Sequence, residues 1–345
     1  MRVIFFCGDG SRYGMAHLEP MLASDFEVVA VVFGTPARWA TFRRALSGKK
    51  HVDLKHRSFF QLLKRIGPAL MHRWRSRRER RDVLNMVARY NVPLWTEDDV
   101  NSEAFIAKAK KLAPDLVISA AYPQIFKQPL LDIGKKQAVN FHPSLLPKFR
   151  GAHPHFWTIV EGETESGVTA HVMTTALDEG PIVAQRGFDI TGFTYADLYN
   201  KIVAETPALV QDVADYYLQG RGELKPQDPA GVSYYRNNRP IHSKIFWNLH
   251  SAERIKNLSR TGTAYFFFRG KKIMLLQAEA RDKNRNMTNS LEVVPGAIVD
   301  VKDNGLVVQA SSGFVHIQQI RYQNKTLEFK QWAKSWRIHI GEILG

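Results

Sequence analysis

Two apolar runs, RVIFFCG (2–8) and EVVAVVFG (27–34), constrain this chain more than any other feature of it. Both are continuous blocks of Val, Ile and Phe with no polar alternation, so a strand made from either must be covered on both faces. A helix around Met15–Ala23 separates them, and the alternation recurs downstream. RDVLNMVARYNVPLW reads as a helix running into a strand. SEAFIAKAKKLAPDLVISAAY reads as helix, turn at Pro114-Asp115 and strand, and AVNFH as another strand. GVTAHVM (167–173) and GPIVAQRGFDI (180–190) pair as a hairpin, and TYADLYNKIVAETPALVQDVADYYLQG is a long closing helix. Strands and helices in this order give an α/β fold with a doubly wound, mostly parallel sheet.

After Gly220 the texture changes. RGELKPQDPAGVSYYRNNRPI carries Pro, Gly, Asn and Asp without periodicity, which places a linker over 221–233 between a domain at 1–220 and another at 234–345. The second opens with a short helix, SAERIKNLSR. Strand-like segments follow (TAYFFFRG, KKIMLLQAEA, GAIVDVKD, NGLVVQASSG, FVHIQQI), separated by Gly or Asn-Gly turns. That is the pattern of a small OB-like β-barrel.

A single cysteine, Cys7, excludes a disulfide framework and favours a reducing, cytoplasmic setting. The first apolar run is too short for a signal peptide, and no stretch approaches the roughly 18 apolar residues of a membrane span, so a soluble protein is expected. Of the formal charge of +15, most lies between Gly34 and Val92, where sixteen Lys/Arg face Asp53, Glu79 and Asp82. Such a block suits nucleic acid, a phosphorylated substrate or an anionic surface, or is a solvated pair of basic helices.

Gly8, Gly10 and Gly14 follow the first strand, but as G-x-G-x-x-x-G, one residue longer than the dinucleotide fingerprint. The second strand ends in Phe33-Gly34 where a ribose-binding acid belongs. A glycine-rich turn fits better than an NAD(P) site.

The chemistry concentrates in AVNFHPSLLPKFRG (138–151). Residues i and i+2 of a strand share a side, so Asn140 and His142 project together at the carboxyl end of a strand, where open α/β sheets hold ligands. Pro143 ends the strand and Ser144 ties down the turn. An amide donor beside an imidazole supplies oxyanion stabilisation and proton transfer. Asp178, in TTALDEGPIVAQ, is the candidate third group. No His/Cys cluster has metal-ligand spacing, and His153, His155 and His171 suggest no site of their own.

AVNFHPSLLPKFRGAHP, GVTAHVM and LDEGPIVAQ, in this order, resemble the folate-dependent formyltransferase family, whose members include glycinamide ribonucleotide, methionyl-tRNA and nucleotide-amino-sugar formyltransferases. The resemblance covers most of 1–220 and extends less closely to the C-terminal barrel. It implies Asn140, His142 and Asp178 as the catalytic trio, and 10-formyltetrahydrofolate as formyl donor with no metal. It puts the pteridine against Gln124, Ile125 and Phe126 and the turn Thr175, Ala176 and Leu177. Ser144 and Gly151 match positions that shape the loop after the catalytic strand, and acceptor contacts are expected from Gly10, Arg12, Ser144 and Arg150.

Three acceptor classes compete. The basic block and barrel suit methionyl-tRNA. Against it, NFHPS stands where bacterial tRNA enzymes usually carry NVHAS, RTGTAYFFF replaces their Pro-Trp-Pro-Gly, and an extra helical segment fills roughly 57–82. The expected acceptor is therefore the primary amine of a nucleotide-linked amino sugar or another small amine. A hydrolase releasing formate and a non-catalytic folate-binding protein complete the alternatives.

Overall fold

The computed structural model describes residues 1–8, 12–34, 81–281, 294–302 and 305–345. Gly10 and most of the basic block lie outside the described residues; residues 81–89 are helical.

The first apolar runs form strands β1 (Arg2–Gly8) and β2 (Glu27–Gly34), with helix α1 (Arg12–Ala23) between them. β3 (Leu94–Glu97), α2 (Glu103–Lys110), β4 (Leu116–Ala120), α3 (Gln128–Leu131) and β5 (Gln137–His142) follow. After the short β6 (Arg150–Gly151) come α4 (Pro154–Glu161), β7 (Glu165–Val172), β8 (Ile182–Asp189) and α5 (Tyr195–Gln219). Seven strands make one sheet in the order β3-β2-β1-β4-β5-β7-β8. β3 through β5 pair in parallel, and β7 runs antiparallel to β5.

Burial follows the hydropathy. In β1, Val3 through Gly8 are buried, and all of β4 is buried, as two-faced cover requires. α1 can approach β4 closely because it carries Gly14, where a Cβ would stand 2.9 Å from the Ala120 carbonyl oxygen. The strand order turns at β1: the chain builds outward through β2 and β3, then crosses back to β4. The carboxyl ends of β1 and β4 flank such a switch point, where a sheet of this kind offers its ligand crevice.

By its contacts the chain forms two units. The first comprises Met1–Lys148, Gly167–Arg186 and Ile202–Val232, the second Phe149–Ser166, Gly187–Lys201 and Ser233–Gly345. Residues 149–166, which follow the Asn-Phe-His strand directly, thus belong to the second unit. There Phe156, Trp157 and Val160 of α4 join the same core as Phe266, Phe268 and Trp332. This unit also holds the short β9 (Tyr234–Tyr235), paired with β6, helix α6 (Ala252–Arg260) and an antiparallel sheet of β10 (Tyr265–Phe268), β11 (Lys271–Arg281), β12 (Ile298–Lys302), β13 (Gly305–Gln309), β14 (Phe314–Tyr322) and β15 (Lys325–Glu328). Its hydrogen-bonded order is β10-β11-β14-β13-β12, with β15 on β14. Helix α7 (Phe329–Trp336) follows β15, and its apolar residues Phe329, Trp332, Ala333 and Trp336 recur at helical spacing, with Phe329 and Trp332 buried in the core and Ala333 and Trp336 packed against it. Among the described residues, no helix is long and apolar enough to cross a membrane.

Candidate active site

Strand β5 carries Asn140, Phe141 and His142. Its pleat sends Phe141 to the opposite side, where the ring lies 4.4 Å from that of His17 on α1. His142 is buried, Asn140 partly so. Across the ladder, β7 puts His171 directly opposite Asn140, and the two side chains meet with Asn140 Nδ2 3.3 Å from His171 Nε2. Antiparallel partners lie this close by construction.

Asp178 completes the group from the turn between β7 and β8. Its Oδ2 is 3.6 Å from His142 Nδ1 and its Oδ1 is 3.4 Å from His171 Nε2. One buried carboxylate thus faces two buried imidazoles. Asp178 has a φ of +55°, a left-handed conformation that costs a non-glycine residue about 1 kcal/mol or more. Gly180 lets the turn close: a Cβ there would come within 1.9 Å of the Val172 carbonyl oxygen.

His171 is the residue the sequence reading missed. Its Nδ1 lies 2.9 Å from the Val172 carbonyl oxygen, which only accepts, so that nitrogen carries a proton. Its Nε2 stands between the Asn140 amide nitrogen, at 3.3 Å, and Asp178 Oδ1, at 3.4 Å, so one imidazole nitrogen links the strand amide to the carboxylate. The available signal was the two-residue period of GVTAHVM, which puts Thr169 and His171 on one side of their own strand, but not which residues face them across the ladder.

A cavity of about 240 Å³ opens beside this group. Asn140, His171 and Asp178 line it together with Gln124, Ile125, Phe126, Thr175, Ala176 and Leu177, so one wall is the loop after β4 and another the turn before Asp178. The loop is well anchored. Gln124 donates to the Asp98 carbonyl at 3.0 Å and accepts from the Val100 N–H at 3.2 Å, and Asn101 donates to the Ile125 carbonyl at 3.0 Å. Phe126 is buried, 4.8 Å from Phe6. Ile125 and Leu177, 73% and 51% exposed, offer apolar surface at the mouth.

Of the residues expected to meet an acceptor, Ser144 is fully buried and donates its hydroxyl to the Lys148 carbonyl at 2.8 Å, shaping the loop after β5. Thr169 secures the same loop by donating to the Ser144 carbonyl at 2.6 Å. Arg12 is exposed at the start of α1. Arg150 belongs to the second unit, where it is buried and donates to the Tyr234 hydroxyl at 3.1 Å.

A family model described as formyl transferase matches residues 1–213, and one described as the formyl transferase C-terminal domain matches residues 239–337. The chain belongs to the formyl transferase family. This formyl transferase is 32% identical to the methionyl-tRNA formyltransferase of Clostridium tetani over 257 residues, 73% of this chain and 80% of the relative. It is 31% identical to that of Thermodesulfovibrio yellowstonii over 267 residues, 75% of this chain and 83% of the relative. Among solved structures, an N-formyltransferase from Helicobacter canadensis, in complex with folinic acid and dTDP-3-aminofucose, matches with a TM-score of 0.58. The identity there is 18%, over 93% of this chain and 100% of the other, so the likeness is one of fold.

Proposed function

We propose that this formyl transferase moves a formyl group from 10-formyltetrahydrofolate to the primary amine of a nucleotide-linked amino sugar. The observation that carries formyl transfer is the convergence of Asn140, His171 and Asp178 on one edge of the cavity, with His142 3.6 Å from the Asp178 carboxylate. The cavity's size and lining support a folate. At about 240 Å³ it is smaller than the 300–1,000 Å³ typical for whole drug-sized ligands, so it takes a bicyclic ring while the tail stays outside. The apolar surface of Ile125 and Leu177 is what such a ring would cover.

When bound, the folate supplies the formyl carbon. The Asn140 amide donates to the formyl oxygen as negative charge collects there; losing one such donor typically costs about 3 kcal/mol of barrier. His142, buried beside Asp178, accepts the proton that the attacking amine must shed. Asp178 balances the imidazolium so formed and, with His171 on its other oxygen, passes a proton toward the departing nitrogen.

The acceptor reading rests on sequence. NFHPS and the stretch Arg260–Phe268 depart from the tRNA enzymes, and in this chain Thr261, in that stretch, is buried and bonded to the Leu258 carbonyl and to Thr263. The extra basic segment suits an anionic nucleotide. Methionyl-tRNA is the second reading, favoured by the names of the curated relatives. The test is a formylation assay with the folate donor and, in parallel, dTDP-linked amino sugars, charged initiator tRNA and no amine. Turnover with an amino sugar supports the proposal, turnover with tRNA alone replaces it by the second reading, and formate release without any amine makes the protein a hydrolase.

A further inference from the structure

The segment joining the two family-model matches is tied to the catalytic turn. Lys225 exchanges backbone hydrogen bonds with Ile182 at 2.7 and 2.9 Å, extending the ladder at the start of β8. Two residues on, Gln227 Nε2 lies 2.8 Å from the Asp178 carbonyl oxygen and 2.8 Å from that of Gly180. A primary amide has two N–H groups, and here each takes one carbonyl of the same turn. The next residue, Asp228, caps the 3₁₀ turn Pro229–Gly231 by accepting from the Ala230 N–H at 2.9 Å. Gln227 is therefore held between two anchored points, its side chain aimed at the backbone on either side of Glu179.

We infer that Gln227 is a positioning residue for Asp178, acting through the peptide backbone of the turn without touching substrate; this rests on the formyl-transfer reading of the site. Three observations converge on it. Asp178 holds a left-handed φ of +55°, so the backbone of the turn sets where its carboxylate points. Its carboxylate stands 3.4 and 3.6 Å from two imidazoles, so a small rotation of the turn breaks one relationship or the other. The Gln227 side-chain nitrogen stands against both carbonyls that flank Glu179. The opposite end of the segment also abuts the loop after β5: a Cβ on Gly231 would be 3.1 Å from Pro147. One strap thus meets both loops that follow the site-bearing strands.

The test uses the full-length protein with Gln227→Met, which keeps the length and removes both donors. Expected is a fall in kcat of roughly ten- to a hundredfold, the scale of an ångström's misplacement, with KM for the folate donor changed much less. The decisive measurement is a double-mutant cycle with Asp178→Asn. If Gln227 acts through Asp178, Gln227→Met adds little or no loss in the Asp178→Asn background. Equal fold losses in both backgrounds, or an unchanged kcat in Gln227→Met, overturn the inference. Should Gln227→Met not fold, Gln227→Glu replaces it. A neutral carboxylic acid restores one donor, so its kcat relative to wild type rises as pH falls, and a flat ratio overturns the inference. A wild type that transfers no formyl group to any amine defeats the reading of the site instead, so the two failures are distinct.

Discussion

His142 and Asp178 face each other across 3.6 Å, Nδ1 to Oδ2, with 5% and 8% of their side chains exposed. Their partnership is remote in sequence and buried in space, and it leaves each with a second neighbour: Asp178 has His171, and His142 has the rim shared with Asn140. Removing any member strands the others in a water-poor setting.

Asn140→Ala, His142→Ala and Asp178→Ala are each expected to lower kcat by at least about a hundredfold, the scale of oxyanion or acid–base assistance. Steady-state assays against the preferred amine check this. Retained turnover in His142→Ala would remove the basis of the mechanism.

His171→Ala is expected to lower kcat by roughly tenfold or more, and His171→Asn, which keeps a polar group, by less. The accompanying measurement is the split between kcat and KM for the folate donor: the loss should fall on kcat, and an unchanged kcat in His171→Ala would reduce His171 to packing.

Ile125→Ser and Leu177→Ser are expected to raise KM for the folate donor severalfold while leaving kcat within about twofold, the signature of binding lost equally from ground and transition states. Each exposes the ligand to less apolar surface, and burying such a side chain is worth about 1.5–3 kcal/mol at most. A large kcat effect would place these side chains in the chemistry.

His17 supplies a test of the core. Burial lowers its pKa from 6.5 to about 3, only partly opposed by its hydrogen bond to the Tyr13 carbonyl at 2.8 Å. The unfolded chain takes up this proton below about pH 6.5 and the folded chain does not until near pH 3, so the stability it contributes is full above that window and declines as pH falls through it. Urea unfolding at a series of pH values should show the decline, of the order of a few kcal/mol, and His17→Phe should flatten it.

Gly180→Ala is expected to lower the melting temperature by several degrees and to depress kcat, because the new methyl group meets the Val172 carbonyl. Calorimetry and kinetics on the same preparation check both.

Much of this was legible beforehand. The strands RVIFFCG, EVVAVVFG and DLVISAA stood out as short Val/Ile/Phe blocks alternating with helical stretches, AVNFH as an alternation ended by Pro143, and the glycine-punctuated runs after residue 260 pointed to antiparallel strands. Asn140 and His142 followed from the two-residue period of a strand. His171 did not, since periodicity describes one strand at a time and says nothing of which residue lies across the ladder. Gln227 was hidden for another reason. Its stretch, LKPQDPAG, has the composition of a linker, and a side chain that bonds backbone carbonyls leaves no hydropathy pattern. The excursions 149–166 and 187–201 joined the second unit through tertiary packing of residues such as Trp157, which local sequence does not encode.

The register of β5 against β7 reaches further than pairing. Asn140 faces His171 only while Val139, Phe141, Ala170 and Val172 keep their places in the ladder, and Phe141 is locked by the His17 ring behind it. A slip of one residue would bring Phe141 to the rim and bury the amide and the imidazole on the helix side. The alignment of Asn140, His142 and His171 is thus stored in the apolar residues of the ladder. Loops around the rim can vary to suit a new amine, while a methyl group misplaced beneath the sheet is enough to disarm the site.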